Sequence, residues 1–198
     1  MTTVRQIQRQ WDARKYTQLF NELTANRAGE SSVQLDSQGS AAVPTAAMTL
    51  IRLDELGQSH VPLASKLIRT LIATQHADGG WGDVMITALA LRALMCCKGQ
   101  GAVIDRGLTY LANLQKPEGI WPRVPIRRMS ADAYVSAYVL LQLGNALAFQ
   151  NAIRFDEAVG WFATHESTLE PEAKKIWDRA RSRCRVARAS APVAQLWS

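Results

Sequence analysis

Apolar residues return at helical spacing along most of the chain. Val4, Ile7, Trp11, Leu19, Phe20 and Leu23 predict a first helix over about Val4–Ala25. The stretch Ala28–Ala41 is rich in Ser, Gly and Gln and reads as a linker or mobile loop. From Pro44 onward, helices that are apolar almost all round alternate with amphipathic ones. Thr45–Leu56, Val84–Cys97 and Ala131–Leu143 are of the first kind and need cover on several sides. Leu63–Thr74, Val103–Gln115 and Phe155–His165 are of the second kind. In Val103–Gln115 the stripe is Ile104, Leu108, Leu111 and Leu114, with Asp105, Arg106 and Asn113 pointing elsewhere. A last helix is expected over about Pro171–Arg188. Ala173, Trp177, Ala180, Cys184 and Ala187 form its narrow apolar stripe, and acids open it where arginines close it. The tail Ala189–Ser198 reads as loosely ordered. The expected fold class is all-α, with about eight helices in helical-hairpin repeats. We divide the chain into an N-terminal helix (1–27), a linker (28–43), the repeats (44–166) and a basic C-terminal helix with its tail (167–198), all within one globular domain.

The alternation is a repeat with a measurable offset. Gln75 and Gln115 are 40 residues apart, as are Gly79 and Gly119, and Trp81 and Trp121. The two segments read Gln75-His-Ala-Asp-Gly-Gly-Trp81 and Gln115-Lys-Pro-Glu-Gly-Ile-Trp121. A Gln at a helix end can meet exposed carbonyls or the next helix's free N–H groups. Gly permits a tight reversal, and Trp covers the corner with a large flat surface. Asp78 and Glu118 stand where an acid can meet helix-terminal amides. An apolar helix carrying a [Thr/Ser]-Ala pair follows each Trp, at Thr87-Ala88 and Ser136-Ala137, with an earlier copy at Thr45-Ala46. Gly57, Gly99 and Gly144 are placed to end these three helices as glycines just past the last turn. Trp161 is also 40 beyond Trp121 but falls inside a helix, so that match is accidental.

These segments resemble the QW motif of the terpenoid cyclase and protein prenyltransferase α/α-toroid superfamily, with squalene–hopene cyclases the nearest type. The resemblance covers about Thr45–Thr164. It implies a barrel of inner and outer helices around an apolar cavity. Such cavities serve polyprene cyclisation, prenyl transfer onto cysteine, or the binding of proteins in related domains. Fewer hairpins are countable here than such barrels use, so a partial or small barrel is expected, covered by the first helix, a second copy or another protein. Class II cyclases resemble one another in an Asp-x-Asp-Asp-Thr-Ala motif whose middle Asp protonates the substrate. In register, this chain reads Asp83-Val-Met-Ile-Thr87-Ala88, with Met85 at the acid's position. The later copy reads Asp132-Ala-Tyr-Val-Ser136-Ala137, with Tyr134 there. Neither side chain is a strong general acid. Asp83 and Asp132 then have two readings, as helix N-caps or as cavity-facing catalytic groups. Met85, Tyr134 and Tyr138 are the candidate ligand-lining residues; the two tyrosines are alternatively core aromatics.

Composition narrows the classes. The chain has 198 residues, 47% of them hydrophobic, enough for one globular core. Its net charge of +6 is local. The run from Lys174 to Arg188 carries seven basic residues against Asp178, and Arg123, Arg127 and Arg128 form a second cluster. Lys174, Lys175, Arg179 and Arg183 are therefore candidates for an anionic partner, nucleic acid or anionic lipid; the other reading is a solvated helix face. Cys96, Cys97 and Cys184 are odd in number and make no disulfide framework. His60, His76 and His165 give them no partner at metal-ligand spacing, so neither a metal nor another cofactor is expected. The Met1 end has no apolar signal core and no run spans a bilayer, so a cytoplasmic protein is expected. The preferred expectation is a non-catalytic scaffold for a hydrophobic, isoprenoid-like ligand or a protein partner, with a homodimer as one way to close it. The alternatives are an isoprenoid cyclase or transferase completed by a second subunit, with Asp83 and Asp132 in its site, and a nucleic-acid-binding accessory protein.

Overall fold

A computed structural model describes residues 35–97 and 100–189, with side chains described from Ala42 to Cys184. The described chain is all-α. Its helices are α1 (Leu35–Glu55), α2 (Pro62–Ala73), α3 (Val84–Met95), α4 (Gly101–Leu114), α5 (Ala133–Leu143), α6 (Leu147–Ala152), α7 (Phe155–His165) and α8 (Pro171–Ala189), with a 3-10 turn at Glu166–Thr168. The expected first helix, most of the tail and Gly99 lie outside the described residues.

The chain forms two compact units. Among the described residues, one comprises 35–74 together with 93–97; the other comprises 75–92 and 100–189. In the first unit α1 and α2 pack as a helical hairpin. Ala46, Ala47, Leu50 and Leu53 are buried on one helix, Leu63, Ala64, Leu67 and Leu71 on the other. The turn closes when Gln58 N–H donates to Leu53 O (2.8 Å) and Gly57 N–H donates to Asp54 O (2.9 Å). That is the capping pattern expected of a glycine at Gly57, whose φ is +69°. The expected linker needs correction from Leu35 on, where α1 begins and runs through Pro44; residues 28–34 lie outside the described residues. A proline removes one N–H from the ladder without ending a helix whose apolar face is buried, and a Ser- and Gly-rich composition is only a weak signal against helix.

In the second unit α5 is the central element. Val135, Ser136, Ala137, Val139, Leu140, Gln142 and Leu143 are all buried on it, as an apolar-all-round helix requires. α8 packs against α5, and Ala173, Trp177, Ala180 and Cys184 are buried along it. Trp177 stacks on Phe162 of α7 with ring centroids 4.5 Å apart. Gly144 ends α5, as expected, and does so in the right-handed region at φ −59°. Its constraint is packing: a Cβ there would come within 2.6 Å of Cys184 Sγ. The short helix α6 was not expected. Six residues are too few for a periodic signal, and it is held by the fully buried Phe149, stacked 6.1 Å from Trp121.

Candidate functional site

The two Gln–Gly–Trp segments are the same corner built twice within the second unit. In each, the Gln side-chain amide donates to the carbonyl of the Gly four residues on: Gln75 to Gly79 (2.9 Å) and Gln115 to Gly119 (2.8 Å). In each, the backbone closes with a matching pair of bonds, His76 with Gly80 O and Lys116 with Ile120 O, both 2.9 Å. Gly79 and Gly119 sit at φ +92° and +88°. A Cβ on Gly79 would lie 2.5 Å from Arg106 O, and one on Gly119 would lie 2.3 Å from Ala158 N. Both the positive φ and the close approach therefore demand glycine. Each Gln also reaches the next outer-type helix. Gln75 Nε2 donates to Val103 O (2.9 Å) while its Oε1 accepts from the Arg106 guanidinium. Gln115 Nε2 donates to Arg154 O (3.1 Å) while its Oε1 accepts from Arg154 N–H (2.8 Å).

Trp81 and Trp121 are buried, and each is fixed by its backbone. Trp81 N–H donates to Thr87 Oγ1 (3.0 Å), and Trp121 N–H donates to Ser136 Oγ (2.8 Å). The [Thr/Ser]-Ala pairs thus supply the hydroxyls that receive the corner's amide. Trp121 Nε1 also donates to Leu111 O (2.8 Å). Asp78, expected near helix-terminal amides, instead accepts from Gly80 N–H within the loop (2.9 Å).

Asp83 and Asp132 follow these corners. Asp83 Oδ1 accepts from Ile86 N–H (2.7 Å) and Asp132 Oδ1 from Val135 N–H (3.0 Å). Each carboxylate thus bonds a free donor at the start of its helix, the geometry of an N-cap. Met85 is half-buried, Tyr138 half-buried and Tyr134 exposed. Burial, the largest cause, raises the Tyr138 phenol above its ordinary pKa; Arg92 opposes the rise, and Tyr134 and Asp83 add to it. Asp83, Tyr134 and Tyr138 therefore share one electrostatic neighbourhood with Arg92. Arg92 Nη1 donates to the buried Gln142 Oε1 (2.7 Å), tying α3 to α5. Arg92 and Gln142 were not singled out from the sequence. A lone polar residue late in each of two otherwise apolar helices was the available signal.

The basic C-terminal helix spends part of its charge internally. Lys174 pairs with Glu166 (3.0 Å) and Asp178 (3.6 Å), and Arg181 with Glu166 (3.3 Å). Arg183 donates to Leu141 O (3.0 Å), while Lys175 and Arg179 are exposed. Burial raises the Cys184 thiol to about 11. Cys97 is raised too, by burial first and then by Asp54. Among the described residues no cluster of His, Cys, Asp and Glu would hold a metal ion, and no helix is long and apolar enough to cross a membrane.

The chain is similar to a drimenyl diphosphate synthase of Streptomyces showdoensis, with 32% identity over 108 residues, covering 46% of this chain. The chain spans about a fifth of that relative's length, 20%. No protein-family model matches the chain, and no solved structure matches it. The similarity is consistent with a distant relationship to terpenoid synthases.

Proposed function

We propose that the chain is a terpenoid-cyclase-like scaffold, built of α/α-toroid-type hairpins, that binds a hydrophobic, isoprenoid-like ligand without initiating its cyclisation. One observation carries the reading. Where the resemblance calls for a proton-donating acid, the chain has Met85 and Tyr134, and the neighbouring Asp83 and Asp132 carboxylates cap their own helices. A carboxylate oxygen engaged by its own helix's N–H is occupied as a cap and is not directed at a substrate alkene. The duplicated corners and the partial similarity to a protein called a synthase support the scaffold half of the reading. The half-buried Tyr138 beside Arg92 supplies both an aromatic face and a polar handle for such a ligand. The test is equilibrium dialysis of a labelled polyprenyl alcohol against the purified chain, beside a turnover assay with polyprenyl diphosphates. Saturable binding weakened by Tyr138→Ala, with no product formed, is expected. Cyclised product that Asp83→Asn abolishes would overturn the reading.

The second reading is an isoprenoid enzyme completed by a second copy or a partner subunit. The grouping of Asp83, Tyr134, Tyr138 and Arg92 favours it. Product formed only on adding such a subunit would select it.

A further inference from the structure

The two corners differ in one respect, and the difference has its own chemistry. A single residue, Gly82, separates Trp81 from Asp83, whereas ten residues separate Trp121 from Asp132. Both corners nonetheless end in the same bonds, Trp N–H to a hydroxyl and Asp to a helix N–H. The corner therefore closes without the additional residues, and their sequence is not needed for it. The second connection is a shaped loop. An isolated antiparallel bridge joins Pro122 to Ala131, and Asp132 N–H donates to Trp121 O (2.8 Å). Met129 N–H donates to Ile126 O (2.9 Å), and Lys116 Nζ donates to Arg127 O.

Every residue from Arg123 to Ser130 is exposed. Val124, Ile126 and Met129 stand out at 41%, 52% and 45% exposure. Interleaved with them are Arg123, Arg127 and Arg128, none paired with a carboxylate among the described residues. No acid occurs between Glu118 and Asp132. Exposed aliphatic side chains next to unpaired guanidiniums are poorly matched to water, which rewards only the charge. They are also poorly matched to RNA, which would reward stacking aromatics that the loop lacks. An anionic bilayer interface rewards both parts: guanidiniums at the phosphate level and aliphatic tips among the acyl chains.

We infer that the loop Arg123–Met129 docks this chain on anionic membrane surfaces. The occupant of the exposed apolar tips is the lipid interface, and charge complementarity to acidic headgroups selects it. This goes beyond the ligand-binding reading and stands without it.

The test is flotation of the full chain with vesicles of phosphatidylcholine alone or mixed with phosphatidylserine. The expected result is association with the mixed vesicles that weakens as salt rises. Replacing all three arginines (R123Q/R127Q/R128Q) should lower the association about a hundredfold, at about fivefold per charge. I126S/M129S should lower it about tenfold or more. Circular dichroism confirms that each variant keeps its helices. K175Q/R179Q, on the other basic segment, should leave binding within about twofold. Equal binding to neutral vesicles overturns the inference, as does no binding by the folded wild type. So does loss only in K175Q/R179Q, or I126S/M129S binding like the wild type, which would mean plain charge attraction. Arginine-dependent binding to a transfer RNA without vesicle binding would replace the membrane with nucleic acid.

Discussion

One carboxamide reads both backbone groups of a single distant residue: Gln115 Oε1 accepts from Arg154 N–H at 2.8 Å while Gln115 Nε2 donates to Arg154 O at 3.1 Å. Arg154 immediately precedes α7, so the bond pair fixes where that helix starts relative to the end of α4. The equivalent Gln75 also bonds two carbonyls, but its oxygen faces the exposed Arg106 side chain. The two glutamines, identical by sequence position, therefore differ in what they leave behind when removed. Gln115→Ala strands the carbonyl of Gly119 in a buried bond and both part-buried backbone groups of Arg154, and should cost about 2–3 kcal/mol; Gln75→Ala leaves part-buried carbonyls and a guanidinium that rehydrate, and should cost about 1 kcal/mol. Urea unfolding midpoints measure both. Equal losses would mean that the Arg154 bonds contribute nothing special.

Two glycines of positive φ separate backbone strain from crowding. Gly82, at φ +101°, has no atom within 4 Å of an added Cβ, whereas on Gly119 the Cβ would strike Ala158 N and Glu157 C. Gly82→Ala should cost only the left-handed penalty, about 1–2 kcal/mol. Gly119→Ala must also push the start of α7 away and should cost more than about 3 kcal/mol. Thermal unfolding of the pair is sufficient, and a Gly119→Ala as mild as Gly82→Ala would refute the rigidity of the second corner.

The legibility of these corners in the sequence was uneven for a physical reason. The Gln, Gly and Trp positions recur at a fixed offset because they close one local loop, and a local loop leaves a local pattern. The Thr87 and Ser136 hydroxyls were visible as part of a repeated pair, but their partner was not. The loop at 122–130 moves Ser136 far from Trp121 in sequence while leaving the bond intact. The Arg92–Gln142 bond depends on how two helices are rotated against each other, and no spacing rule encodes that. Likewise, the Ser- and Gly-rich composition of 28–43 predicts a linker although the chain is helical from Leu35, because composition carries no sign of the packing that stabilises α1. The all-α class and the alternation of apolar and amphipathic helices rest on periodicity alone and were legible throughout. The residues that matter to the candidate site are those whose partners come from another helix.

If Asp83 and Asp132 serve as caps, asparagine should replace them with little effect, since its side-chain oxygen accepts the same N–H. Asp132→Asn should change stability by a few tenths of a kcal/mol, and Asp132→Ala should lose about 1 kcal/mol. Polyprenyl-alcohol affinity should be unchanged in Asp83→Asn. An acid with a chemical role behaves oppositely, tolerating neither change in a turnover assay. A large stability loss in Asp132→Asn would point instead to a charge-dependent contact.

Tyr110 supplies the pH dependence. It is only 6% exposed, and its hydroxyl donates to Gly82 O at 3.0 Å, so it ties α4 to the first corner. Burial, then Asp78 and then Asp83 push its pKa from 10.0 up to about 12. The folded state therefore holds this proton more tightly than the unfolded state does. The associated stability is fully present below about pH 10 and falls away as the pH climbs toward 12, by at most about 2–3 kcal/mol. Denaturant midpoints measured from pH 8 to pH 12 should drop in that window, and one tyrosine should titrate late in the ultraviolet difference spectrum. Tyr110→Phe should flatten the drop while losing about 1 kcal/mol at neutral pH with its hydrogen bond. An unchanged alkaline slope in Tyr110→Phe would assign the effect to another group, with Tyr138, also raised by burial, the next to replace.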